Sequence, residues 1–182
     1  MELQFCSRYT ARTITDAKPN HWHVISIGSS SEESKNKTGE TEGWPSLPNA
    51  AEIHKADFDD VVYSPASEKK YNYVTPEIIE GMLVKARTWL KGNKAVLVHC
   101  HAGISRSTAT TLSILLDQFK DEPDQVLLAL YELAKISENI MPNPMVVLYG
   151  LQVIYKDTPQ KAERVYRQVL EHRIWRKMQT GK

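Results

Sequence analysis

Apolar residues fall into two kinds of pattern along this chain. Short, nearly continuous runs are bounded by polar breaks, and longer stretches repeat apolar positions every three or four residues. The first kind predicts buried strands and the second amphipathic helices. Strands are expected at Phe5-Cys6, over His21–Gly28 after the Pro19-Asn20 turn, over Ile53–Phe58 and over Ala95–Val98. Helices are expected over Thr10–Asp16, from Thr75-Pro76 to Gly92-Asn93, over Ser107–Leu116, through Val126–Ile136 and over Pro144–Tyr155. A last helix follows Thr158-Pro159 and carries the stripe Val165, Tyr166, Leu170, Ile174, Trp175 and Met178. Threonine followed by proline is a strong start signal, because the hydroxyl caps a free amide and proline's missing N–H costs nothing in the first turn. In the Thr75 helix, Ile78, Ile79, Met82, Leu83, Ala86, Trp89 and Leu90 share one face, which assigns Trp89 to the core.

Strands alternating with helices point to a single α/β domain with a central, mostly parallel sheet flanked by helices on both faces. The 182 residues suffice for one domain with a sizeable core. Ser29 through Gly43 is polar, lacks periodicity and reads as a flexible loop. Val61 to Tyr73 reads as a connection between the third strand and the Thr75 helix. Residues 1–155 would form the domain proper. Residues 156–182 hold eight Lys/Arg against three Asp/Glu and would form a basic amphipathic helix packed on it.

A formal net charge of +1 provides no general basic field, which argues against a nucleic-acid binder. Two cysteines, Cys6 and Cys100, make no disulfide framework and favour a reducing compartment. Cys6 reads as a small core residue of the first strand. His21 and His23 alternate onto one face, but no neighbouring Cys, Asp or Glu completes a ligand set, so no metal is implied. No apolar run approaches a membrane span and the first residues lack a signal peptide's apolar stretch, so the reading places the protein in the cytoplasm.

The chemistry concentrates in His99-Cys100-His101-Ala102-Gly103-Ile104-Ser105-Arg106 and the following Ser107. This run lies between a predicted strand and a predicted helix, an order that gathers backbone N–H groups and the positive end of a helix dipole around one point. Such surroundings suit a phosphate and favour an anionic sulfur, which makes Cys100 a candidate nucleophile. Arg106 offers a planar fork of donors that matches two phosphate oxygens. Gly103 permits the strained turn that makes the amides converge. His99 is placed to hold the loop or the thiolate through its ring, and the Ser107 hydroxyl to support the sulfur as it leaves phosphorus.

The string Val-His-Cys-His-Ala-Gly-Ile-Ser-Arg-Ser-Thr-Ala resembles the signature loop of the cysteine-dependent protein tyrosine phosphatases, in particular the compact dual-specificity branch and its bacterial and phage relatives. The resemblance runs from about Ile53 to Tyr155. It implies that His101, Ala102, Gly103, Ile104, Ser105 and Arg106 bind phosphate, and that Cys100 forms a phosphocysteine without metal or organic cofactor. Ile140-Met141-Pro142-Asn143-Pro144 is similar to the segment in which the family's asparagine fixes neighbouring loops. Asn143 is equally well placed as a helix N-cap.

The family also needs an aspartate as general acid. The resemblance puts it on Asp60, with Asp59 the runner-up and Asp57 third. The implied substrate is a phosphorylated protein or peptide, with phosphotyrosine foremost and phosphoserine or phosphothreonine as further candidates. A nucleotide or RNA 5′-phosphatase and a phosphate-reading module without turnover are the alternatives.

Overall fold

The computed structural model describes residues 2–31, 43–62, 71–137 and 140–180. Its sheet has four strands, β1 (Leu3–Ser7), β2 (Trp22–Gly28), β3 (Glu52–Asp57) and β4 (Ala95–Cys100), in the order β1-β4-β2-β3. Every pairing is parallel. All six residues of β4 are buried, as expected of an interior parallel strand covered on both faces. β2 lies beside it, buried from Val24 to Gly28.

Among the described residues, seven helices pack on the sheet or on one another: α1 (Arg8–Ala17), α2 (Pro76–Lys91), α3 (Arg106–Gln118), α4 (Gln125–Ile136), α5 (Pro144–Ile154), α6 (Pro159–Glu171) and α7 (Arg173–Thr180). Side chains alternate along β4, so Ala95 and Leu97 join Trp22, Val24 and Ala11 in a small core beneath α1. Val96, Val98 and Cys100 face the larger core beneath the other helices. α3 is the centre of that core, buried at every residue from Arg106 to Asp117. An Arg87–Asp117 pair, with Nε–Oδ2 at 2.6 Å and Nη2–Oδ1 at 3.0 Å, ties α2 to it.

Thr75 and Asn143 cap the helices predicted to start at them, whereas Thr158 starts its helix without a side-chain cap. Ile78 N donates to Thr75 Oγ1 at 3.4 Å, and Met145 N donates to Asn143 Oδ1 at 3.0 Å. Trp89 is buried, and its indole N–H donates to Glu52. α1 begins two residues before the predicted start because Ser7 accepts from Thr10 N at 3.2 Å and so caps it at Arg8.

The terminal region departs from the expected single helix. It breaks at His172, whose backbone is extended and whose Nδ1 accepts from Ile174 N at 3.3 Å. The imidazole thus caps a new helix. The turn lets Trp175 and Met178 bury alongside Val165 and Val169, and Gln179 Nε2 donates to Pro142 O at 3.0 Å. Most of the Ser29–Gly43 loop and residues 63–70 of the Val61–Tyr73 connection lie outside the described residues. Among the described residues, no helix is long and apolar enough to cross a membrane.

α3 and α5 approach closely at Gly150. A Cβ there would sit 2.4 Å from Ser113 Oγ and 2.7 Å from Ser113 Cβ. Gly150→Ala is therefore expected to destabilise the fold by about 1–3 kcal/mol through overpacking. Ser113→Gly in the same chain should restore part of that loss, read from the denaturant midpoint of each variant.

Candidate active site

The carboxyl end of β4 delivers Cys100 to a point where three elements meet, the crevice in which open parallel sheets hold their ligands. Ser7, the last residue of β1, is in register with Cys100, and Arg8 N donates to His101 O at 3.2 Å. The loop from His101 to Ser105 is thereby held against the start of α1. Gly103 makes this possible, with φ at +75°. A Cβ there would lie 2.4 Å from Ser7 N and 2.5 Å from Cys6 C, both backbone atoms that cannot swing aside.

Cys100 is 2% exposed, at the floor of the loop. Its sulfur receives the Gly103 amide at 3.3 Å and lies 3.2 Å from Ser107 Oγ. Both groups can donate to an anionic sulfur. Ser107 occupies the first turn of α3, so the helix that supplies the dipole also supplies this hydroxyl. Cys6, the other cysteine, belongs to the α1 side of the sheet. Burial, then the neighbouring Cys100, pushes its thiol up to about 12, which keeps Cys6 protonated and unreactive.

Arg106 is buried, and its Nη1 donates to Phe58 O at 2.9 Å and to Gly28 O at 3.5 Å. These carbonyls end β2 and follow β3. Sequence reasoning missed both anchors, since a backbone carbonyl is not visible in residue identity.

The three aspartates have separate surroundings. Asp57 accepts from Ser30 N at 2.9 Å and from the Ser30 hydroxyl. Asp59 is buried and accepts from the Ser29 hydroxyl, from Ser31 Oγ at 2.9 Å and from Asn72 N at 2.7 Å. Both are part of the clasp joining the chain after β2 to the chain after β3. Asp60 reaches the signature loop. It is exposed, and its Oδ1 accepts from Ser105 Oγ at 2.7 Å and from Asn143 Nδ2 at 3.0 Å. Nothing in the sequence marked Ser29, Ser31 or Asn72 as partners of Asp59, because they lie 30, 28 and 13 residues from it along the chain.

Asn143 performs both tasks read for it. Its Oδ1 caps α5 while its Nδ2 reaches Asp60 and, at 3.4 Å, Val61 O. Met141 N donates to Ile104 O at 2.9 Å, which attaches the same segment to the loop. Ser105 heads α3 without capping it, because its hydroxyl is directed to Asp60. Ala102 and Ile104 are exposed on the outer side of the loop, and the His101 ring meets Tyr9 edge-on at 5.9 Å.

His99 differs from expectation. It is completely buried, and among the described residues neither ring nitrogen has a hydrogen-bond partner. The ring therefore does not hold the sulfur. It fills space beneath the loop on the α1 side of β4, the direction opposite to Cys100. Burial first, and Arg8's charge in addition, push it down to about 4, while the nearby Cys100 backbone opposes the shift without reaching hydrogen-bond geometry. The sign of the pH effect follows. Between about pH 6.5 and 4 the unfolded chain binds a proton at this histidine and the folded chain does not, so stability falls as pH drops through that window. On the order of 3 kcal/mol is expected to be lost across it. Denaturant unfolding at pH 7 and pH 4.5 should show a markedly smaller loss for His99→Gln than for the parent.

No family model matches the chain, and no curated protein is close enough in sequence to match. Solved structures do match. A mouse putative dual specificity phosphatase complexed with zinc tungstate is 14% identical with a TM-score of 0.56, covering 88% of this chain and 86% of its own. Human DUSP28 is 17% identical with a TM-score of 0.52, covering 91% and 94%. The human tyrosine phosphatase-like serine/threonine/tyrosine-interacting protein is 19% identical with a TM-score of 0.50, covering 81% and 80%. With a parallel four-stranded sheet and seven helices among its described residues, this chain has the fold of the tyrosine and dual-specificity phosphatases.

Proposed function

We propose that this protein hydrolyses phosphomonoesters on protein side chains, phosphotyrosine foremost, through a phosphocysteine. One observation carries the reading. The Cys100 sulfur lies against the Gly103 amide of the loop and the Ser107 hydroxyl in the first turn of α3, Asp60 bonds to Ser105 of that loop, and Arg106, the next residue, bonds to Phe58 O two positions before Asp60. Candidate nucleophile, cation and acid thus belong to one loop and the strand end it grips.

In the first step the Cys100 thiolate attacks phosphorus in line and the bond to the substrate's ester oxygen breaks. Asp60 gives its proton to that departing oxygen. Arg106 and the amides from His101 to Ser105 hold the non-bridging oxygens as charge shifts onto them. In the second step a water attacks phosphorus, the P–S bond breaks and Asp60, now a carboxylate, takes the water's proton. Ser107 supports the sulfur as it leaves. Each step balances with water as the only co-reactant. Asp59 and Asp57 serve by holding the strand ends. A working thiolate must stay reduced, which favours the cytoplasm and a phosphorylated protein there as partner.

The similarity to a structure whose name reads phosphatase-like keeps a phosphate-binding module without turnover as the competing reading. The retained Cys100, Arg106 and Asp60 favour turnover. Aryl phosphate hydrolysis tests this directly. Cys100→Ser and Arg106→Lys should be nearly inactive, and Asp60→Asn should lose about 10²–10⁴-fold. The Asp60 loss should be greatest for substrates with poor leaving groups and should flatten the limb of the pH profile assigned to the acid. A parent protein that retains phosphopeptide and releases no phosphate would overturn the reading; an unaffected Asp60→Asn enzyme would overturn only the acid's assignment.

A further inference from the structure

Beside the signature loop, the first turns of α1 and the segment after Gly43 enclose an open groove of about 670 Å³, lined by Arg8, Tyr9, Arg12, Trp44, Pro45 and Ser46. We propose that this groove is a subsite for an acidic side chain close to the phosphorylated residue of a protein substrate. The proposal rests on the phosphatase reading above and extends it to specificity.

Position is the first argument. The groove begins at the loop itself, where Arg8 N bonds to His101 O and the Tyr9 ring meets the His101 ring. From Arg8 to Arg12 is one helical turn, a rise of about 6 Å. In an extended peptide that distance is spanned by roughly two residues. A side chain one to three positions from the phosphorylated one therefore reaches it.

Charge is the second. Arg8 and Arg12 stand four apart on one helix face, an arrangement that is mutually repulsive without a counter-charge. Among the described residues Arg12 pairs with Asp16, Nε to Oδ2 at 3.5 Å, with both side chains well exposed. Asp16 is shared with Asn49 Nδ2 at 2.9 Å. Among the described residues, the groove's lining contains two cations and no carboxylate.

The aromatic rings decide the chemistry of the occupant. The Arg8 guanidinium lies 5.0 Å from the Tyr9 ring centroid, and its Nη2 donates to Tyr9 Oη at 3.3 Å. Lys55 Nζ lies 5.7 Å from the Trp44 ring, whose Nε1 donates to Ser26 O at 3.0 Å. Each ring has a face committed to a cation and its polar atom committed to a partner. The rings steady positive charge in the groove, which suits a carboxylate better than a stacked nucleobase.

The test compares two phosphotyrosine peptides identical except that Asp or Glu beside the phosphorylated residue is replaced by Asn or Gln, together with a 5′-phosphorylated oligonucleotide. Binding is measured on Cys100→Ser, and kcat/KM on proteins with the native cysteine. The acidic peptide should be favoured about fivefold at low salt, the size of one exposed ion pair. That preference should fall below about twofold at high salt or with Arg12→Ala, and turn against the acidic peptide with Arg12→Glu. Equal binding of the two peptides would overturn the subsite, as would a preference indifferent to Arg8→Ala and Arg12→Ala, or tighter binding of the oligonucleotide. If the acidic preference holds on Cys100→Ser while the parent releases no phosphate from an aryl phosphate, the subsite stands and the phosphatase reading fails.

Discussion

A strand buried on both faces runs, after five residues, into a helix buried almost all round, and the chain between them has to reverse inside that space. The reversal turns the Gly103 amide inward onto the Cys100 sulfur. Gly103 rests against the junction of β1 and α1 so closely that a single methyl group would collide with two backbone atoms. The Cys100 sulfur therefore sits against a loop amide and a helix-borne hydroxyl oxygen. The packing of β4 and α3 sets these neighbours of the sulfur.

Around that reversal the remaining pieces are fastened from several directions. Arg106 holds the ends of β2 and β3 through their carbonyls. Ser105, its neighbour, holds Asp60, and Asn143 holds Asp60 from the other side while capping α5. The terminal helices take part too, with Gln179 bonded to Pro142 O and Tyr166 Oη to Pro144 O at 3.3 Å. The basic tail is thus packed against the segment that carries Asn143.

Much of this was legible in the residues. Periodicity and caps located α2, α4 and α5 to within a residue or two, since those helices follow local rules of patterning and end chemistry. The signature loop was legible because Cys, Gly and Arg each supply something that other residue types do not. The break at His172 was not, because the apolar stripe continues across it and only a ring nitrogen turned back onto an amide reveals the new cap. Asp60 could be ranked above Asp59 only by resemblance. Carboxylates in a cluster carry equal chemistry, and it takes Ser29, Ser31 and Asn72, distant in sequence, to turn Asp59 inward. For His99, residue type suggested a ring that bonds; the alternation of β4 instead buries it away from the sulfur.

Ser105 and Arg106 are adjacent, and each grips the short stretch from Phe58 to Asp60, so the two loops close into a hydrogen-bonded ring. One oxygen of the Asp60 carboxylate, Oδ1, receives both donors in that ring, Ser105 and Asn143. Among the described residues Oδ2 takes no part in that ring. The two oxygens are therefore not equivalent: one serves as a fixed hinge between the loops, and the other stands outside it.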